Sequence, residues 1–205
     1  MDARNQELPD TAAGDPRFAS SMQAIMASIQ REARIRPLKQ IMVLGAARGV
    51  GASLVAREAA AQLATTFGPV LVVEVRTGDG PETDLGQDPH AVNERHGAVA
   101  HAALSAEACL RLFSAGKRES EGLPPQWRDA YEYILWDVPT PTVSPAALAV
   151  ARAVDGSILV VHANRTRRQV AMHVASRIED SGGRVLGVVL NRTLNFIPEW
   201  IYRWL

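Results

Sequence analysis

Lysine is nearly missing from this 205-residue chain: Lys39 and Lys117 are the only two, so a site that needs an ammonium has few places to find one. Cysteine is scarcer still. The single Cys109 excludes an internal disulfide and a cysteine-based zinc cluster, and its setting in the apolar-patterned stretch 106–113 predicts a buried thiol. Net charge is also lacking. Lys+Arg and Asp+Glu both number 22, so no overall field draws the chain to nucleic acid or to an anionic membrane. No apolar run reaches the roughly 20 residues of a spanning helix. The polar first twenty residues, with Pro9 and Pro16, lack the basic start and apolar block of a secretory signal. A soluble cytoplasmic protein is the expectation.

What is present points to one core. The hydrophobic fraction of 47% suits a single domain, residues 18–205, preceded by a disordered polar segment, 1–17. Met22, Ile25, Met26 and Ile29 fall at i, i+3, i+4, i+7, which predicts an amphipathic helix over Ser20–Glu32 whose stripe packs on the domain or on another subunit. Apolar runs at 41–44, 70–75, 133–136, 157–161 and 184–190 hardly alternate and resemble strands buried on both faces. Helical patterns at 52–66, 144–154 and 166–180 lie between them. The fold class expected from this alternation is α/β, a mainly parallel sheet covered by helices on both faces. Residues 76–96, rich in glycine, proline and aspartate, predict a long mobile loop at the carboxyl end of the second strand, where ligands bind in such folds. Residues 114–126 predict a polar surface connection.

The stretch "LGAARGVGAS" (44–53) joins the first of these strands to a helix. Strand, glycine-rich turn and helix make the setting of a phosphate-binding loop, GxxxxGK[ST], in which backbone amides wrap phosphates, a lysine reaches the outer ones and a hydroxyl holds magnesium. Aligning Gly51-Ala52-Ser53 with the terminal GK[ST] retains Gly49, Gly51 and Ser53, but puts Ala52 at the lysine and Ala46 at the first glycine. Arg48 is the one cation within the loop, and it precedes the turn. The nucleotide-binding candidates are therefore Arg48, Gly49, Val50, Gly51, Ala52 and Ser53.

Two further stretches, "YEYILWDVPTPTVSPAALAVARAVDGSILVV" (131–161) and "GGRVLGVVLNR" (182–192), give the loop its context. With it they resemble the cytoplasmic domain of the bacterial tyrosine autokinases of capsule and exopolysaccharide export, a branch of the MinD/ParA-type P-loop ATPases. The similarity runs from about Ser20 to the end of the chain. It implies a P-loop NTPase-like fold, a Walker B strand ending in Asp137, and an Asn-Arg pair with Asn191 near the adenine pocket. It also exposes departures. Where that family has D-x-D after its second strand, this chain has Glu74 and Arg76, so a cation takes the place of a metal-side carboxylate. Ser20, Gln23 and Met26 occupy the positions of the E-x-x-R-x-x-R of ring-forming members, and the C-terminal tyrosine cluster is absent.

The resemblance thus implies a catalytically impaired relative that supports polysaccharide export beside an inner-membrane chain-length or co-polymerase protein, with self-association as a further option and nucleic acid not expected. Vestigial catalytic candidates are Asp137 and Glu74. Ser53 and Asp137 would face magnesium if it binds, and the cofactor expectation is none, or weakly bound ATP/ADP with Mg²⁺. Asp137 is equally a turn cap before Pro139, and Asn191 a strand-end turn residue. Two other readings stay open: an active ATPase or kinase with a variant loop, and a MinD/ParA-like positioning factor. His90, His96 and His101 are loosely spaced and read as solvated, as does the basic face of Arg165, Arg167 and Arg168. The tail "NFIPEWIYRWL" repeats the helical stripe with Ile197, Trp200, Ile201 and Trp204. So short a helix must dock. Phe196, Trp200 and Trp204 are its anchors, for a partner, for the membrane interface or for the chain's own domain.

Overall fold

A computed structural model describes residues 16–89, 94–113, 123–163 and 165–191. Six parallel strands form most of one sheet: β1 (Gln40–Gly45), β2 (Val70–Arg76), β4 (Val99–Ser105), β5 (Tyr133–Val138), β6 (Gly156–His162) and β7 (Val185–Asn191). The short β3 (Glu94–His96) adds an antiparallel edge, and the order is β3-β4-β2-β5-β1-β6-β7. All of β1 is buried, as the non-alternating apolar runs predict for a central parallel strand.

Helices cover both faces. On one lie α1 (Pro16–Ala33) and α2 (Ala52–Phe67), whose Met22, Ile25, Ile29, Val55 and Leu63 pack on Ile41, Val43 and Leu135. The other carries α3 (Ala106–Phe113), α4 (Pro125–Asp129), α5 (Ala146–Ala153) and α6 (Arg168–Asp180). Cys109 is buried there with Trp127 and Trp136. The α1 stripe therefore packs on its own domain. The helix starts at Pro16, so Pro16 and Arg17 belong to it and not to the polar segment ahead.

The Asp155-Gly156 step has a structural reason. The Asp155 carboxylate accepts from the backbone amides of Lys39 and Gln40, both at 2.7 Å, which fixes the start of β1. At Gly156 a side chain would collide with Leu186.

The predicted mobile loop is a correction. Its described part is fastened to the body. Thr83 N–H donates to Ala103 O at 2.7 Å, and Thr83 Oγ1 accepts from Ala103 N–H at 2.9 Å. Trp127 Nε1 donates to Leu85 O at 3.0 Å and the Tyr131 hydroxyl to Pro89 O at 2.9 Å. No helix among the described residues is long and apolar enough to cross a membrane.

Candidate functional site

At the carboxyl end of β1 the chain turns back on itself. A side chain at Gly45 would sit 2.6 Å from Val50 Cγ2 and 2.7 Å from Ala47 O, so glycine is needed there by packing. Alignment with the phosphate-loop pattern places that requirement at Ala46. The structure places it one residue earlier, and the small methyl of Ala46 is simply buried. Gly49 (φ 71°) and Gly51 (φ 85°) adopt the left-handed conformation that glycine reaches without strain. Gly51 caps α2 without any side-chain hydrogen bond at that end. The first-turn amides and the positive end of the helix dipole therefore open onto the adjoining cleft.

That cleft has a volume of about 570 Å³ and is bounded by the loop, the end of β2 and the end of β5. Arg48, Gly49, Val50, Gly51, Ala52, Ser53, Glu74 and Asp137 all line it, so the structure brings together most of the predicted site. The parallel register sets Glu74 directly across from Asp137. The half-exposed Arg76 donates to Glu74 Oε2 at 2.8 Å. Thus the cation in the second acidic position binds the carboxylate in the first.

Asn191 stands apart from the rest. Its side chain is buried behind the loop and Nδ2 donates to Val50 O at 2.8 Å, tying the end of β7 to the turn. Any side chain at Gly51 would strike this amide. Arg57 is the site residue that the motif comparison misses. It lies one helical turn beyond Ser53 and lines the cleft. The i, i+4 spacing from Ser53 is a signal that could have found it.

Burial holds the Asp137 carboxyl above the ordinary aspartate range. A hydrogen bond with Ser53 lowers it, the neighbouring Glu74 raises it, and Arg57 lowers it. A carboxyl raised in the folded state contributes stability below its ordinary range, and this is lost as pH rises through the raised value. Above the ordinary carboxylate range the buried carboxyl is therefore a burden on the fold. Asp137→Asn is expected to raise the melting temperature at pH 7, with the gain vanishing on acidification below the ordinary carboxylate range. Calorimetric scans of both proteins across pH check this, and a loss at every pH would assign Asp137 a supporting role instead.

The donor set fits phosphate better than magnesium. Uncapped amides with Arg48 and Arg57 suit an anion. Mg²⁺ asks for near-octahedral oxygen ligands, whereas Glu74 is held by Arg76 and leaves Ser53 and Asp137. Among the described residues no group of three His, Cys, Asp or Glu is placed to hold a metal. His101 is a correction: it lies half-buried in β4 beside a hollow shared with Arg57, Glu58 and Glu74. The exposed Arg165, Arg167 and Arg168 form the solvated face expected. His90 and the tail residues Phe196, Trp200 and Trp204 lie outside the described residues.

No family model matches the chain. In sequence it is 34% identical over 73 residues to the tyrosine-protein kinase CpsD of Streptococcus agalactiae serotype Ia, a match spanning 36% of this chain and only 32% of that protein. In fold it is similar to the kinase domain of Escherichia coli tyrosine kinase ETK, with a TM-score of 0.66, 18% identity, and 96% of this chain and 85% of that chain covered. The kinase domain of VpsO gives the same TM-score at 20% identity, covering 91% of this chain and all of the other. The loop-to-helix turn, the Asp137 strand and these likenesses converge: the chain is a homologue of the bacterial tyrosine kinases, built on their P-loop ATPase-like α/β fold.

Proposed function

We propose that the chain is a catalytically impaired tyrosine-kinase homologue that serves capsule or exopolysaccharide synthesis and export as a regulatory or scaffolding subunit. Its partner would be an inner-membrane polysaccharide chain-length or co-polymerase protein, with the chain peripheral on the cytoplasmic side through that partner. The observation that carries this reading is the pairing of Arg76 with Glu74 in a cleft whose loop has Ala52 at the lysine position. Phosphoryl transfer depends almost wholly on positioning and electrostatic stabilisation of charge around the phosphates. Here one phosphate cation is absent and one metal-side carboxylate is replaced by a guanidinium. What the cleft retains is a nucleotide cradle: the amides after Gly51, Ser53, and the guanidinium groups of Arg48 and Arg57. Nucleotide bound there would act as a weak ligand whose presence reports to the partner.

The expected result is no magnesium-dependent ATP hydrolysis or autophosphorylation above the level of an Asp137→Asn control, in the presence and absence of the co-purified partner. A second reading, an active enzyme, draws on Arg48 and Arg57 lining the cleft, since two guanidinium groups could share the lysine's work. Turnover that Asp137→Asn abolishes would establish it.

A further inference from the structure

Net charge over the whole chain is zero, so any charged surface has to be local. One lies where α1 gives way to β1: Arg31, Arg34, Arg36 and Lys39 all fall within residues 31–39, with Glu32 as the one acid among them. The acids at hand are already occupied. Glu32 is largely buried and pairs with Arg184 at 2.7 Å, and the Asp155 carboxylate takes the amides of Lys39 and Gln40. Arg31, Arg34 and Lys39 are left with no ion pair among the described residues. The helix dipole accounts for only part of this charge. It favours cations within the last turn, which covers Arg31 and stops short of Arg36 and Lys39.

Amid these cations stands Ile35, 73% exposed, the most exposed large apolar side chain among the described residues. Its presentation is built. Glu32 O accepts from the amides of Ile35 at 2.9 Å and of Arg36 at 3.0 Å, Arg36 Nη2 donates to Asp155 O at 2.8 Å, and Leu38 is buried in the core. A turn braced at both ends thus holds an isoleucine out in water.

We propose that this turn is a docking surface for an anionic phospholipid bilayer, with Ile35 entering the acyl boundary and Arg31, Arg34 and Lys39 meeting lipid phosphates around it. Charge complementarity carries the first half of the argument, since each basic side chain beside an anionic membrane strengthens partitioning by about fivefold. Ile35 carries the second half. A projecting apolar tip ringed by cations suits a medium that is anionic at its surface and apolar beneath, whereas an acidic protein or a nucleic acid would use the charges alone. The long stems of the three cations let them stay at headgroup level while the isoleucine goes deeper.

The seat also sets an orientation. The turn leads into the amino end of β1, while the glycine-rich loop leaves its carboxyl end, about 17 Å away. A docked molecule therefore turns its cleft away from the bilayer. No cleft residue takes part, so the proposal stands whatever the cleft binds, and it gives the chain a membrane contact of its own besides any partner.

Vesicle co-sedimentation of the full chain tests it. Vesicles of equal parts phosphatidylglycerol and phosphatidylcholine should bind the protein, vesicles of phosphatidylcholine alone should not, and added salt should release it. Arg31→Gln, Arg34→Gln and Lys39→Gln together should weaken binding about 100-fold; Arg36 is kept because it braces the turn. Ile35→Ser should weaken binding severalfold at every salt concentration, and it decides alone if the triple variant melts early. Wild-type binding to neither vesicle, equal binding to both, or binding undiminished in the triple variant overturns the proposal, and the last would assign the membrane contact to another part of the chain. Binding that Ile35→Ser leaves untouched would make the turn a plain polyanion surface, which a DNA duplex at the same salt would occupy equally, and overturns it as well.

Discussion

Ala52→Lys is expected to tighten ATP binding by about 10- to 100-fold. Residue 52 opens α2, lines the cleft and is only partly buried, so an ammonium on a four-carbon stem can reach an outer phosphate from there. A hydrogen bond to a charged group contributes about 1.5–3 kcal/mol, and each 1.4 kcal/mol is a factor of about ten in affinity. The same lysine sits at the positive end of the helix dipole, where a like charge costs about 0.3–1 kcal/mol. Ligand-free protein should therefore melt slightly lower while the nucleotide complex melts higher. Titration calorimetry with ATP, with and without Mg²⁺, separates the two. An affinity unchanged by the lysine would mean that the cleft does not receive phosphate.

Arg76→Asp supplies the contrast. It should leave metal-free ATP affinity little changed and give the complex a magnesium dependence, because it frees Glu74, which lies directly across from Asp137, and adds a second carboxylate two residues further along the cleft wall.

Trp136→Ala is expected to remove about 5 kcal/mol of stability. The indole is fully buried in β5, packs edge-on against Phe113 with ring centroids 5.2 Å apart, and donates from Nε1 to Gln40 Oε1 at 3.1 Å. Truncating a buried tryptophan costs about 3–5 kcal/mol through lost transfer energy and the cavity left behind. The stranded Gln40 oxygen adds about 1–3 kcal/mol. Domains are stable by only about 5–15 kcal/mol, so the variant should melt some 10–20 °C lower at about 2–4 °C per kcal/mol. Trp136→Phe keeps most of the ring and loses the hydrogen bond, and should fall between. A loss under about 2 kcal/mol for alanine would show that the neighbours collapse into the space.

Four of the strands that the sequence reveals are largely buried on both faces; β7 is a correction, because it forms the sheet edge and leaves Val188 and Leu190 exposed. β1, β2, β5, β6 and β7 all appear as runs of valine, isoleucine and leucine; the structure lengthens the first four by a residue or two and shifts β7 on by one. β4 escapes because its sequence is VAHAALS. Alanine favours helix and has little strand propensity, yet β4 pairs with β2 along its whole length, from Val70 opposite Val99 to Arg76 opposite Ser105. Tertiary pairing overrides local preference there. The fastening of residues 83–89 is hidden for a similar reason, since Trp127 and Tyr131 reach it from 42 residues away.

Within the site, the loop glycines, Ser53 and Asp137 are legible as a motif, whereas the work of Asn191 is not. A strand-end asparagine next to an arginine does not show in one dimension that its amide donates to Val50 O and ties the end of β7 to the turn. Glu74 and Arg76 show a middle case. Two residues apart on a strand they share a face, so their pairing could be foreseen, but not that Asp137 would sit directly opposite Glu74.

Strand order also governs how this chain must behave while it is being made. β1 and β2 emerge first but never pair with each other; β1 lies between β5 and β6, and β2 between β4 and β5. β1 therefore waits until Val138 has been added before even one of its edges can close. At about 5–20 residues per second that is an interval of roughly 5–20 s. Throughout it, "QIMVLG" and "VLVVEVR" have no native partner on the ribosome apart from β2's pairing with β4. A translation pause placed before β5 should therefore lower the soluble yield more than one placed after β6, when both edges of β1 are already occupied.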